Sequence, residues 1–381
     1  MEMKQIYEIV NYARQEALGE VELTLEEDLS NIVDVGNAVF NANAVDAYCK
    51  ALVNRIGKII FVSRPYTGRA PKVLMDSWEF GSVLMKTHAG LPEAQENESW
   101  KLEDGASYDQ DIFYQPKVEV KFFNKRTTFE VPMSFTDEQL KQSFTSAQEM
   151  GSFISMLYVS VENAMVVYAD ALIMRTIDNF IGQTIKDGSS AIKINLLAGY
   201  KEEVDANSTL TADTCLYSKE FLRYASAKIM LISKRMRNMS KVFNIGGTAK
   251  HTPTEDQRII MLDVFVTQAS TYLDSDTFHN QLVELPNADT VSYWQGSGKT
   301  YAWGDVSKIK VKTVAGDSVE QSGIIAFIFD RNALGVSCFN RRTPTHYNSK
   351  AEFWNNYYKE DAGYFNDFNE NGVVFYVEDE D

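Results

Sequence analysis

The sequence predicts an α+β fold, and three observations carry that expectation. Between Lys117 and Gly182 a strand-like stretch runs directly into a very long helix. From Gln183 to Gln321 helical and strand-like segments alternate as they do in a compact α/β body. The tail from Phe353 to Val377 is rich in aromatic residues and again strand-like.

The elements follow in order. Ile6, Ile9, Val10 and Ala13 stand at helical spacing, which predicts a short amphipathic helix within an N-terminal arm over residues 1–35. Leu23 to Leu29 is acidic and reads as extended. Asn43 to Arg55 predicts a helix with Val45, Tyr48, Cys49, Leu52 and Val53 on one face, Gly57 as its C-cap, and Ile59-Ile60-Phe61-Val62 as a buried strand. Ser63 to Gln115 holds Pro65, Gly68, Pro71, Gly81, Gly90, Pro92 and Gly105. This segment is too long for a simple connection. It lies between strand-like segments, so a two-stranded excursion from the body is expected.

Apolar and charged residues alternate in Val118-Glu119-Val120-Lys121-Phe122, the period of a half-buried strand. Thr127, Phe129 and Val131 repeat the alternation after a turn at Asn124-Lys125-Arg126, predicting a strand pair that Pro132 limits. Thr136 with Gln139 has the form of a capping box. From Ser146 to Phe180 there is no proline and one glycine, Gly151, so the helix runs for roughly 50 Å. Its apolar stripe passes through Phe153, Leu157, Val161, Ala164, Tyr168 and Leu172. Tyr217 to Val242 predicts a second helix, with Phe221, Ala225, Ile229, Ile232 and Met236 in register. A buried strand at 259–262, a helix at 265–278 and short strands at 291–294 and 309–312 come next. Strongly apolar strands begin at Gly323 and end at Val373 to Val377.

The chain has 381 residues, 44% hydrophobic and 24% charged, enough to bury one large core or two smaller ones. Its formal net charge of -16 repels nucleic acid and anionic membrane. Arg341-Arg342 and Lys308, Lys310 and Lys312 read as solvated edges. Cys49, Cys215 and Cys338 are far apart and form no CxxC, which disfavours a disulfide framework or structural zinc. Met1-Glu2-Met3-Lys4 lacks the apolar run of a signal peptide, and runs such as Ile324 to Phe329 are too short to span a bilayer. A soluble protein of a reducing cytoplasm is expected.

Catalytic motifs are sparse. Gly296-Ser297-Gly298-Lys299-Thr300 matches the end of a phosphate-binding loop, but Tyr293 stands where the first glycine belongs and Tyr301 to Asp305 does not propagate a helix. His88, His251, His279 and His346 have no metal-type spacing, and no GxSxG or HExxH occurs. The expectation is no catalytic residue, cofactor or metal. The alternative is a nucleotide-binding α/β enzyme built on Gly296–Thr300.

Four segments carry a family resemblance. Val45 to Val62 (VDAYCKALVNRIGKIIFV) resembles the helix ending in Arg-Ile-Gly of tailed-phage major capsid proteins with the Hong Kong 97-like fold. Lys117 to Gly182 resembles that fold's strands, Thr-Asp-Glu-x-Leu-Lys turn and spine helix; Gly323 to Val336 (GIIAFIFDRNALGV) and Trp354 to Val377 resemble its returning and closing strands. Together the segments cover about half of the chain, with the closest likeness to head proteins of small short-tailed phages (podoviruses).

The resemblance implies an N-arm over 1–35, a first part of the peripheral domain over 36–62 and an E-loop hairpin over 63–116. It further implies peripheral strands and spine helix over 117–182, an α/β axial domain over 183–321 and closing peripheral strands over 322–381. The implied function is that of a subunit self-assembling into homo-pentamers and homo-hexamers. These form an icosahedral virion shell around double-stranded DNA, which is enclosed without sequence-specific binding. Assembly in the host cytoplasm, a separate scaffolding protein, a portal and a head-decoration protein are implied as well, with no membrane. No appended immunoglobulin-like domain is expected, and the arm is shorter than the helical scaffold some relatives carry. Arg64, Arg69, Lys72 and Lys86 are the expected subunit contacts, pairing with acidic groups of a neighbour.

Overall fold

A computed structural model describes residues 3–19, 24–42, 44–62, 73, 84–92, 94, 101–107, 111–115, 117–274, 288–295 and 303–379. The arm folds back on its own chain. Helix α1 (Met3–Leu18) buries Ile6, Ile9, Val10 and Ala13 and packs on α2 (Ile32–Asn41) and α3 (Val45–Val62). The expected break at Gly57 does not occur, because α3 continues through it and residues 59–62 are helical rather than a strand. A glycine inside a helix costs only about 1 kcal/mol, and a four-residue apolar run does not tell a strand from a buried helix.

Strand β1 (Leu84–Ala89) pairs antiparallel with β2 (Val118–Phe123). This is the root of the expected two-stranded excursion. It corrects the expected pairing of β2 with the strand that follows, because β3 (Arg126–Thr136) takes a distant partner. Pro132 sits within β3 opposite Tyr357 and does not stop it. Since β3 is an edge strand of its sheet, a missing N–H on its outer side breaks no ladder bond.

The Thr136 capping box forms: Thr136 Oγ1 accepts from Gln139 N–H at 3.2 Å, and Gln139 Oε1 accepts from Thr136 N–H at 3.0 Å. It caps a separate short helix, α4 (Asp137–Ser143), and Ser146 then caps the 41-residue α5 (Ala147–Asp187), about 60 Å long. By length and composition alone α5 is apolar enough to cross a membrane, against the run-length expectation. Its inner face instead joins two cores. Met150, Ile154, Leu157, Val161 and Met165 pack with α1–α3, and Leu172, Ile177, Phe180 and Ile181 pack on a sheet. The buried stripe turns as the helix passes between them. Met165 and Ala169 are buried where Ala164 and Tyr168 were expected, and Tyr168 is 48% exposed, stacked on Phe129.

Beyond α5 come β4 (Lys193–Asn195), α6 (Leu196–Glu203), a 3-10 turn (Cys215–Tyr217) and α7 (Lys219–Arg235). Strand β5 (Gln257–Leu262), α8 (Asp263–Asp274), β6 (Asp289–Val291), the single turn α9 (Trp303–Val306) and the hairpin β7 (Ile309–Lys312) with β8 (Ser318–Gln321) follow. Helix α7 ends at Arg235, before the expected Val242, and residues 275–278 of the helix expected over 265–278 lie outside the described residues. The last strands are β9 (Ile324–Asp330), β10 (Leu334–Arg342), β11 (Thr345–Asn348), β12 (Phe353–Asn366) and β13 (Gly372–Tyr376).

These strands divide between two sheets. In one, β12 is flanked by β3 along one side and by β10 and β11 along the other. In the other the order is β4-β13-β9-β5-β6, so β9 and β13 pair with strands from the α/β segment rather than with β10–β12. Strand β9 is buried on both faces, which explains its unbroken apolar run Ile324-Ile325-Ala326-Phe327-Ile328-Phe329.

Arg341 and Arg342 are more than solvated edges. Arg341 Nε lies 2.7 Å from Glu360 and Arg342 Nη1 2.9 Å from Asp361, both carboxylates being buried. Hydrogen bonds from Arg342 hold the Asp361 carboxyl down at about 2, with Thr128 and Asn340 assisting against burial. Lys308 and Lys310 pair with Glu320 on the exposed side of a hairpin and remain a solvated edge.

Candidate assembly interface

The β1–β2 hairpin presents two unlike faces. Residues directly opposite across an antiparallel pair share a face. Lys86 stands opposite Lys121, and Leu84 opposite Phe123; these side chains turn toward the body and are half-buried. Met85, Thr87 and Ala89 stand opposite Phe122, Val120 and Val118, and all six are exposed. The apolar face thus points to solvent and the basic face inward.

The body supplies the reason. Asp367, whose side chain is only 5% exposed, lies 3.5 Å from Lys86 and accepts from Lys121 at 3.1 Å. Two like charges directly opposite would repel, and one buried carboxylate between them reverses the sign. Lys86 also donates to the carbonyl of Asn332 and lies 4.7 Å from the centre of the Phe365 ring. Burial draws the Lys86 ammonium below its usual range, and Asp367 works against that shift. Phe123 packs on Phe365 at 5.2 Å, and Asn369 donates to Glu119 at 3.4 Å.

Other described residues between β1 and β2 are exposed and apolar as well. Phe113 is 84% exposed between Ile112 and Tyr114, which are exposed too, as are Leu91 and Leu102. On the hairpin itself the exposed apolar side chains share one face, and an exposed apolar patch marks a contact site. The long helix has an exposed apolar stripe of its own, through Met156, Val159 and Val167.

Of the four expected contact residues, Arg64, Arg69 and Lys72 lie outside the described residues. Lys86 is described and engaged within its own chain. Val118, Val120 and Phe122 were not among the expected contacts: alternation signals that a strand has two faces but not which is covered. Gly296–Thr300 lies outside the described residues, and the next described helix is only the four-residue turn α9. Among the described residues no three His, Cys, Asp or Glu side chains are placed to hold a metal ion.

Comparison with solved structures defines the fold. The capsid of Staphylococcus phage Andhra is similar over 81% of this chain and 84% of that one, with a TM-score of 0.53 at 10% identity. A chain from the structure of the head fiber and inner core protein gp22 of native bacteriophage P68 is similar over 80% and 83%, also at TM-score 0.53, with 12% identity. The fold is therefore the Hong Kong 97-like fold of tailed-phage capsid subunits. No curated protein matches the sequence significantly. The family model for the Phi29-like phage major capsid protein matches residues 10–376, and the chain belongs to that family. It is a structural subunit of a phage head shell, self-assembled from many copies and located in the virion capsid.

Proposed function

We propose that the shell closes through a contact in which the outward face of the β1–β2 hairpin covers a neighbouring copy. One observation carries this reading: the hairpin turns its lysines to its own body and leaves Met85, Val118, Val120 and Phe122 to solvent. A face used by one copy on a different face of the next is heterologous, and heterologous contacts generate rings. Rings of five and six are the assemblies this supports. Arg64, Arg69 and Lys72 add ion pairs to the neighbour's carboxylates, each worth about 0–1 kcal/mol, while Lys86 fixes the root of the loop.

In this reading 1–35 is an N-arm, 63–116 the E-loop, and 36–62, 117–182 and 322–381 the peripheral domain. Residues 183–321 form an axial domain whose sheet borrows β9 and β13. Scaffold, portal and head-decoration proteins act as separate partners, and the -16 charge favours a shell that encloses DNA without binding it tightly. The work of the chain is a set of repeated interfaces rather than a reaction. Val120→Lys with Phe122→Lys tests the proposal: circular dichroism and melting stay near those of the parent, while shells vanish from electron micrographs. Normal shells from that variant would refute it.

A further inference from the structure

We infer that the turn between β12 and β13, residues 367–371, couples the β1–β2 hairpin to the loop at 240–252. The chain of contacts is continuous. Lys121 donates to Asp367 Oδ1 at 3.1 Å, and the same oxygen accepts from the Asn369 backbone N–H at 3.2 Å. The carboxylate that anchors the hairpin therefore also shapes the turn. On the far side, Thr248 Oγ1 donates to the Asn369 carbonyl at 2.8 Å, and Gly246 N–H donates to the Phe368 carbonyl at 3.0 Å. Asn244 then accepts from Thr248 N–H at 2.9 Å and donates to Asn371 Oδ1 at 3.1 Å.

The packing leaves little slack. A Cβ added at Gly246 would collide with the Asn369 side chain, so the loop lies directly on the turn. Asn244 and Asn371 are buried, and a buried amide that loses its partner bears the full desolvation cost. Moving the turn at Asp367 therefore disturbs hydrogen bonds at 244–248, and moving the loop disturbs the seat of the hairpin. Such coupling is reciprocal by linkage. In a shell, and there resting on the reading of the hairpin as a neighbour contact, docking on its outer face would be felt at 240–252. The coupling itself belongs to the single subunit and is tested there.

The experiment is amide hydrogen exchange on the unassembled full-length chain with two conservative variants at opposite ends of the relay. Lys121→Met keeps the aliphatic stem and replaces no residue of the turn, removing only the hydrogen bond to Asp367. It is expected to speed exchange across β1–β2 and, by about threefold or more, at Gly246, Thr248 and Lys250. Thr248→Val is expected to speed exchange in β1–β2 by a similar factor, with β5 and β9 unchanged in both variants. The inference is overturned if Lys121→Met loosens the hairpin alone, if Thr248→Val leaves β1–β2 unchanged, or if β5 and β9 accelerate equally.

Discussion

Phe180 of the long helix lies against Gly372 at the start of β13, so closely that a Cβ on Gly372 would stand 2.6 Å from the ring. The helix and the closing strand meet at that point with no room for a methyl group. Phe180 also contacts Phe327 at 5.5 Å and Phe368 at 5.1 Å, so it is held on several sides. Gly372→Ala is therefore expected to cost about 1–3 kcal/mol through overpacking, measured by chemical denaturation. Gly182, whose added Cβ would collide with Val311, should behave alike in Gly182→Ala.

Ala164 is half-buried in the middle of α5, where that helix leaves one core for the other. Proline there removes a helix hydrogen bond and clashes with the preceding turn, at about 3 kcal/mol or more. Ala164→Pro should abolish shells in electron micrographs and lower helical circular dichroism.

Asp361 and Arg342 set an acid limit. The folded carboxyl titrates at about 2, below the ordinary 3.8. A depressed carboxylate stabilises above its unfolded value and loses that contribution as pH falls through the folded one. Stability should thus decline between about pH 4 and pH 2, and Asp361→Asn should flatten that decline in acid unfolding curves.

Asp178 has the opposite sign. It is 2% exposed within α5, its Oδ1 has no hydrogen-bond partner among the described residues, and burial raises its carboxyl well above the ordinary range. The unfolded chain then releases this proton at lower pH than the folded one, so stability falls as pH rises above about 4. Melting temperatures of Asp178→Asn should lack that fall.

Much of this architecture is legible in the sequence because local patterns matched tertiary demand. The Thr136–Gln139 box, the α7 face from Phe221 to Ile232 and the β9 run are written in spacing and composition. Partner choice is not. Strand β3 pairs with β12 more than two hundred residues away, and nothing in Thr127, Phe129 or Val131 names that partner. The orientation of β2 is hidden for the same reason: Asp367, which draws Lys121 inward, lies 246 residues further on. Gly57 and Pro132 misled because each breaks structure only in a context their neighbours do not supply.

A cryo-electron microscopy map of the assembled shell, read at the β1–β2 hairpin, shows directly which hairpin face meets a neighbour. Val118, Val120 and Phe122 are expected to be buried against a neighbouring copy while Lys121 stays on Asp367 of its own chain. A shell in which those three side chains face solvent would contradict it.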